Sequence, residues 1–352
     1  MDIVVIGACG DVGRQVVQLI VSERLLQCDQ RLILVAHRDG ASERSIHGIA
    51  ADLTDAYAES APRIDIVLDP DAIRGDLVVM AAGATISPRK AGTSVDRGAL
   101  AAGNAPVFER YARAIADHGH GHEIVICISN PNELAVGIFA KHLGRRRVIG
   151  MGAFLDTLRF RKEIAADLGV RRQRIHGFMV GEHGTHGVPL WSGVHAYGLS
   201  DSELAVEIQR IRRGHRTEAF FEDVARAHVS MGDRIAAGEI REAYALLADW
   251  PPDIRVLAKP FATHFSGAKT VTATAEATME LLRTITQGSD VLISGQIALA
   301  GEVYGIHGVI GVPFVVGNRG VDRIFEMPMT GEERELLAKS AAAVQRKLDG
   351  YL

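Results

Sequence analysis

Short β-branched runs alternate with longer stretches of helical periodicity through the first 150 residues. The runs DIVVIG (2–7), RLILVA (31–36), DIVL (65–68), DLVVMAAG (76–83), EIVICIS (123–129) and RVIGMG (147–152) are apolar almost throughout, with no alternating polar face. Strands of that kind are covered on both sides, as in a parallel sheet flanked by helices. Strand, helix, strand in repetition predicts an α/β fold with a doubly wound parallel sheet.

Beyond residue 155 the pattern changes. It predicts a helix over about 157–168, strands around 175–180 and 188–194, and a long helical region from 200 to about 249 with Arg and Glu on its polar side. Trp250, Pro251 and Pro252 break that region. A helix over about 271–287 follows, then strands near 298–304 and 311–316 and a last helix over 330–348. No internal repeat or low-complexity tract interrupts the chain. The expected organisation is a nucleotide-binding domain at 1–150 and an α+β domain at 151–352.

With 352 residues, 47% hydrophobic and 23% charged, the chain has ample material for two packed domains. A formal net charge of −4 gives no reason to expect nucleic acid or an anionic membrane as partner. The basic runs at 145–147 and 210–216 are short and read as solvated edges. Cys9, Cys28 and Cys127 are far apart and odd in number, so neither a disulfide framework nor a cysteine metal site is expected. Met1 leads directly into a strand-like run and no apolar run reaches the ~20 residues of a membrane span, so a cytoplasmic protein without a signal peptide is expected.

GACGDVG (7–13) follows the first strand and opens a helix. Glycines there permit a tight turn and close approach to a pyrophosphate, whose charge is met by free N–H groups at the helix N-terminus. In this context the motif predicts a Rossmann-type dinucleotide site using Gly7, Gly10, Asp11, Val12 and Gly13. An acidic residue usually ends the second strand and holds the adenosine ribose. Here that strand ends in Ala36, His37 and Arg38. Without the carboxylate, Arg38, helped by Ser42 and Arg44, suits a 2′-phosphate, which favours NADP over NAD. The alternative is that Asp39 takes the ribose and Arg38 points to solvent.

Four further segments carry chemistry: GATISPRKAGTSVDR (83–97), ISNPN (128–132), LDTLRFR (155–161) and VGEHG (180–184). Asp156 and Arg159 stand three apart on one helix face, and His183 lies between small residues on a turn. An imidazole titrates near neutrality and can serve as acid in one direction and base in the other. HGHGH (118–122) lies in a surface turn and EHGTH (182–186) has the wrong order for a zinc-protease motif, so no metal is expected. Cys9 reads as a small packing residue.

With these segments in this order the sequence strongly resembles the malate/lactate dehydrogenase family, closest to its malate branch. The resemblance extends over almost the whole chain, through AAG (81–83), NAPVF (104–108), RVIGMGAFLDTLRFR (147–161), VPLWSGV (188–194) and GVPFVVGNRGV (311–321). It implies an NAD(P)-dependent oxidoreductase that interconverts malate and oxaloacetate, with the second domain carrying substrate and catalysis. His183 would be the proton donor and acceptor and Asp156 its orienting anion, while Arg159 would grip the carboxylate beside the carbonyl. Arg97 would close over the substrate and polarise its carbonyl, and Asn130 would bond the substrate or the nicotinamide ribose. Arg89 would pair with a distal carboxylate, where lactate enzymes carry glutamine. Ala82, Gly83, Asn104 and Ile128 would complete the cofactor contacts. A small 2-oxo or 2-hydroxy acid is the implied partner, in a homodimer or homotetramer.

The sequence also departs from the family. Arg89 and Arg97 are further apart than malate enzymes commonly have them, and the 200–264 segment is longer. FSGAKT (265–270) replaces a GSAT-like run, and Tyr111 replaces a glutamine. A dehydrogenase for lactate or another 2-hydroxy acid therefore stands as an alternative. From another class comes a non-catalytic dinucleotide-binding regulator. A metal-dependent glycosidase is a distant third.

Overall fold

The computed structural model describes residues 1–85 and 98–352 in full and Arg97 in its backbone alone. The first half runs β1 (Asp2–Ile6), α1 (Asp11–Ser22), β2 (Arg31–Val35), α2 (Ala41–Ala56), β3 (Arg63–Val67), β4 (Leu77–Met80), α3 (Arg97–His118), β5 (Ile124–Cys127), α4 (Asn132–Leu143) and β6 (Val148–Gly150). These strands pair in parallel in the order β3-β2-β1-β4-β5-β6. The order reverses between β1 and β4, which opens a crevice at their carboxyl ends, where open α/β sheets bind ligands. Burial explains the apolar runs: β1 from Ile3, β2 from Leu32 and all of β4 and β5 are covered. Helix α1 buries Gly13, Val16, Val17, Ile20 and Val21, one face at helical spacing.

The second half contains α5 (Gly152–Asp167), β7 (Ile175–Gly181), β8 (Gly187–Ala196), α6 (Asp201–Arg212), α7 (Phe220–Ala236), α8 (Ile240–Leu247), α9 (Pro252–Phe265), α10 (Val271–Gln287), β9 (Val291–Ala300), β10 (His307–Gly317), β11 (Gly320–Ile324) and α11 (Gly331–Leu348). Its strands pair antiparallel as β9-β10-β7-β8, with β11 on β10. One pairing, Gly150 with Gln296, joins β6 to β9 and makes the two halves a single 11-stranded sheet.

Several elements differ from the sequence expectation. The 200–249 region is three helices, because Arg213 and Gly214 adopt left-handed conformations after α6 and Gly238 does so after α7. Pro251 and Pro252 start α9 as well as ending what precedes them, since the first helical position needs no N–H. The strand expected near 298–304 lies earlier, at Val291–Ala300, and turns away at Gly301, whose φ is +99°. Helix α5 begins at Gly152, which sets Asp156 about one turn and Arg159 about two turns inside it. Among the described residues, no helix is long and apolar enough to cross a membrane.

Candidate active site

The turn between β7 and β8 carries His183 against the start of α5. Gly152 makes that possible, since a Cβ there would overlap the Cβ and Cγ of His183. One turn further along α5, Asp156 faces the ring, with Oδ2 2.8 Å from His183 Nδ1. Its other oxygen accepts from Arg159 Nη1 at 3.0 Å. With Nδ1 engaged, Nε2 is the nitrogen left for a reacting group, and the side chain keeps 21% exposure. Only Nδ1 and Nε2 can bond in imidazole, so the Asp156 contact sets which one works.

Buried polar groups hold this geometry from behind. Glu133, in the first turn of α4, accepts the backbone N–H of His183 at 2.6 Å. Asn132 binds the Cys127 carbonyl at 2.8 Å and accepts from Gly152 N at 3.3 Å, while Gln296 accepts from Ala153 N at 2.9 Å. Thr157 accepts from Met179 N at 3.0 Å and so clamps α5 to β7. From α11, Ser340 accepts from Glu182 N at 2.9 Å, and Lys347 reaches the Glu182 carboxylate at 2.5 Å. The imidazole is thereby fixed by α4, α5 and α11 together. Neither Glu133 nor Gly152 was singled out from sequence; a buried acid one step after NPN and a glycine opening a helix carry no distinctive pattern.

The charges tune one another. Burial disfavours the Asp156 carboxylate, yet the His183 and Arg159 cations and their hydrogen bonds outweigh it and hold its pKa below the ordinary value. Burial likewise disfavours an imidazolium, but Asp156, with help from Glu133, raises the His183 pKa above the ordinary one. Burial and the neighbouring Glu182 charge push Glu133 upward against the bond from His183 N.

The glycine turn fits a dinucleotide. Gly7 has φ +85°, and a Cβ there would lie 2.7 Å from Ala82 N. A Cβ on Gly13 would overlap the Gly7 carbonyl, and Gly10 N donates to that carbonyl at 3.0 Å. Gly10 caps α1 without any side-chain hydrogen bond, which leaves the first-turn N–H groups for an anion. At the end of β2, Ala36 is buried while His37, Arg38, Asp39 and Arg44 are exposed. Ser42 bonds the His37 carbonyl at 3.2 Å, and Asp39, at φ +61°, donates its N–H to Glu43 at 2.5 Å. Beyond β4, Ser129 Oγ donates to the Met80 and Ala82 carbonyls at 3.0 and 2.7 Å. Asn130 is exposed at the end of β5 and Ile128 is half-buried there.

Asn104, expected among the cofactor contacts, is fully buried instead. Its amide accepts from Ala84 N at 2.7 Å and donates to the Asn130 carbonyl at 2.7 Å, so it ties two loops together from behind. Tyr111 is buried in the core. Cys9 Sγ lies 3.3 Å from the Ser42 carbonyl, a packing position. Arg89 and the Arg97 side chain lie outside the described residues. His120 and His122 join Asp76, with ligand atoms within 4.8 Å, in an exposed group remote in the fold from His183, at the amino ends of β4 and β5.

Comparison with known proteins agrees with this layout. The profile described as lactate/malate dehydrogenase, NAD binding domain, matches residues 1–150. That described as lactate/malate dehydrogenase, alpha/beta C-terminal domain, matches residues 261–351. A malate dehydrogenase of Hydrogenobaculum is 27% identical, covering 98% of this chain and 94% of that protein. A malate dehydrogenase of Sorangium cellulosum is 30% identical over 78% of this chain and 74% of its own length. An L-lactate dehydrogenase of Lacticaseibacillus casei is 29% identical over 86% and 81%. The crystal structure of a Cryptosporidium parvum lactate dehydrogenase with lactic acid and nicotinamide adenine dinucleotide shares the fold, with a TM-score of 0.75 at 24% identity over 99% of this chain and 97% of that one.

Proposed function

This chain belongs to the lactate/malate dehydrogenase family of NAD-dependent 2-hydroxy acid dehydrogenases, and from that premise we propose that it interconverts malate and oxaloacetate. The observation that carries the reading is the convergence of His183, Asp156 and Arg159, with 2.8 and 3.0 Å contacts on the two oxygens of one buried carboxylate. The glycine turn at 7–13 would hold a nicotinamide dinucleotide, which would supply the hydride acceptor for the hydroxy acid and the hydride donor for the oxo acid. His183 Nε2 takes the hydroxyl proton in oxidation and returns it in reduction, while Asp156 fixes the tautomer and stabilises the imidazolium. Arg159 has further N–H donors beyond the one on Asp156, enough for a bidentate grip on the substrate carboxylate. Arg97 covers the carbonyl oxygen, Asn130 bonds substrate or nicotinamide ribose, and Arg89 pairs with the distal carboxylate. An arginine without that carboxylate would be desolvated and unpaired, which disfavours pyruvate.

Residues 1–150 hold the cofactor and lend Arg89, Arg97 and Asn130 to the substrate, while 151–352 carry His183, Asp156 and Arg159. Gly7, Gly10 and Gly13 admit the pyrophosphate to the α1 N-terminus, with Asp11 and Val12 offering backbone N–H groups. Ala82, Gly83 and Ile128 would hold the nicotinamide side of the cofactor. The end of β2 supports a preference for NADP: no carboxylate ends the strand, and Arg38 and Arg44 are exposed beside Ser42. Arg38→Asp should lower kcat/KM for NADPH and raise it for NADH. A wild-type enzyme that clearly prefers NADH would end the phosphate reading and favour Asp39 as the ribose partner. The family resemblance supports a homodimer or homotetramer, which sedimentation tests.

The decisive assay is a panel of 2-oxo acids with both reduced cofactors. Oxaloacetate should exceed pyruvate by about 100-fold in kcat/KM, and Arg89→Gln should narrow the gap sharply. A variant that kept its discrimination would remove Arg89 as selector. Cofactor binding without turnover of any 2-oxo acid would favour a regulator.

A further inference from the structure

A cavity of about 410 Å³ opens beside Arg159, between α5, α9 and residues 268–273 leading into α10. At about 30 Å³ per water in the liquid, that is space for on the order of a dozen waters, more than a four-carbon acid needs. Its wall carries Arg159, Lys162, Arg255, Lys259 and Lys269 against one acid, Glu163. Glu163 is already engaged by Lys259 at 2.6 Å, Arg255 at 2.8 Å and Lys162 at 3.0 Å. Arg255 also holds Asp167 at 2.7 Å, so these three cations face two carboxylates and one positive charge is left in surplus. Burial and the charges of Lys162 and Arg255 push the Lys259 pKa down, although Glu163 pulls it up. Arg255 and Lys259 sit on α9, between the two stretches that the family profiles match.

Lys269 lines this space. Its backbone is left-handed, with φ +54°, and its ammonium pairs with Asp11 in the first turn of α1. It also lines a second cavity, with Asp11, Arg14, Gln15 and Gln18, on the cofactor side. An anion in the first cavity would offer Lys269 a partner better shielded from water than Asp11, whose side chain is 60% exposed.

We propose that Lys269, assisted by Lys259, is a specificity-determining cation that holds, in this cavity, the distal carboxylate of dicarboxylic 2-oxo acids longer than oxaloacetate, whose own distal carboxylate is assigned to Arg89. The inference rests on the dehydrogenase reading above and deepens it. Arg159 and Lys269 both line the cavity, so an acid whose near carboxylate is gripped by Arg159 would offer its far one to Lys269.

The test compares 2-oxoglutarate and 2-oxoadipate with 2-oxopentanoate and 2-oxohexanoate, their monocarboxylic counterparts, on the wild type, Lys269→Met and Arg89→Gln. The wild type should turn over both longer diacids, with a diacid-to-monoacid kcat/KM ratio that Lys269→Met lowers by about 100-fold. An unchanged ratio, or a wild type that rejects the longer diacids while reducing oxaloacetate, overturns the proposal and leaves the dehydrogenase reading standing. If no 2-oxo acid is reduced, that reading fails, and calorimetric titration with glutarate decides the subsite alone. Binding that weakens at least tenfold in Lys269→Met supports it; equal binding by both proteins, or none by the wild type, overturns it.

Discussion

His183 and Asp156 form a buried acid–imidazole pair, Nδ1 to Oδ2 at 2.8 Å, whose carboxylate is also held by Arg159. Reduction of the oxo acid needs the imidazolium, so kcat/KM falls as pH rises through the His183 pKa. Asp156 raises that pKa, which moves the fall above the ordinary imidazole value of 6.5. In Asp156→Asn burial prevails, the fall moves to lower pH, and kcat drops by about 10²- to 10⁴-fold. A pH profile of both proteins with the preferred oxo acid checks this.

The same pair makes stability depend on pH. The raised His183 pKa contributes stability that is complete below the ordinary 6.5 and lost as pH rises through its folded value. The depressed Asp156 pKa contributes stability that is present above the ordinary 3.8 and lost as pH falls through its folded value. The Tm difference between wild type and Asp156→Asn should therefore be greatest between those two ordinary values and shrink on both sides.

Gly152→Ala should place a methyl group where the His183 ring begins. Displacing the imidazole by about 1 Å costs on the order of 100-fold in kcat. Cofactor affinity, measured by fluorescence of the reduced nicotinamide, should stay within threefold, which separates this effect from loss of the fold.

Glu133 acts on His183 in two ways that variants can separate. Glu133→Gln keeps an oxygen for the His183 N–H but removes a charge that raises the imidazole pKa. Its pH profile should shift to lower pH with a modest loss of kcat. Glu133→Ala also frees the turn and should cost further in kcat without a further shift.

The Glu163 cluster carries a stability prediction. Three cations hold the Glu163 pKa down to about 2 against burial. Arg255→Met removes the most buried of them and also strips Asp167 of its 2.7 Å partner. Breaking such a pair from one side costs about 3 kcal/mol, readable as a denaturant midpoint shift with unchanged slope.

Much of this site was legible in the sequence because its chemistry is local. LDTLR puts Asp156 and Arg159 on one helix face whatever else happens, and the glycine trio needs only the strand before it and the helix after it. The parallel sheet followed from runs apolar on both faces. What was missed depends on long-range packing. Glu133 matters only because α4 starts beneath the β7–β8 turn, and Gly152 only because His183 arrives there. Asn104 reads in the sequence as a cofactor contact because its burial is decided by two loops distant in sequence. Helix α9 hid behind Pro251 and Pro252, which read as breakers until their place at a helix start is known. The pairing of Lys269 with Asp11 joins residues 258 apart in the chain, and no periodicity announces it.

The most direct measurement is the steady-state reduction of oxaloacetate by His183→Asn alongside its affinity for the reduced cofactor. The geometry predicts a loss of turnover of about 10³-fold or more with cofactor binding essentially intact. Turnover within tenfold of wild type would mean that the proton is carried elsewhere and that the His183, Asp156 and Arg159 assembly is not where the reaction occurs.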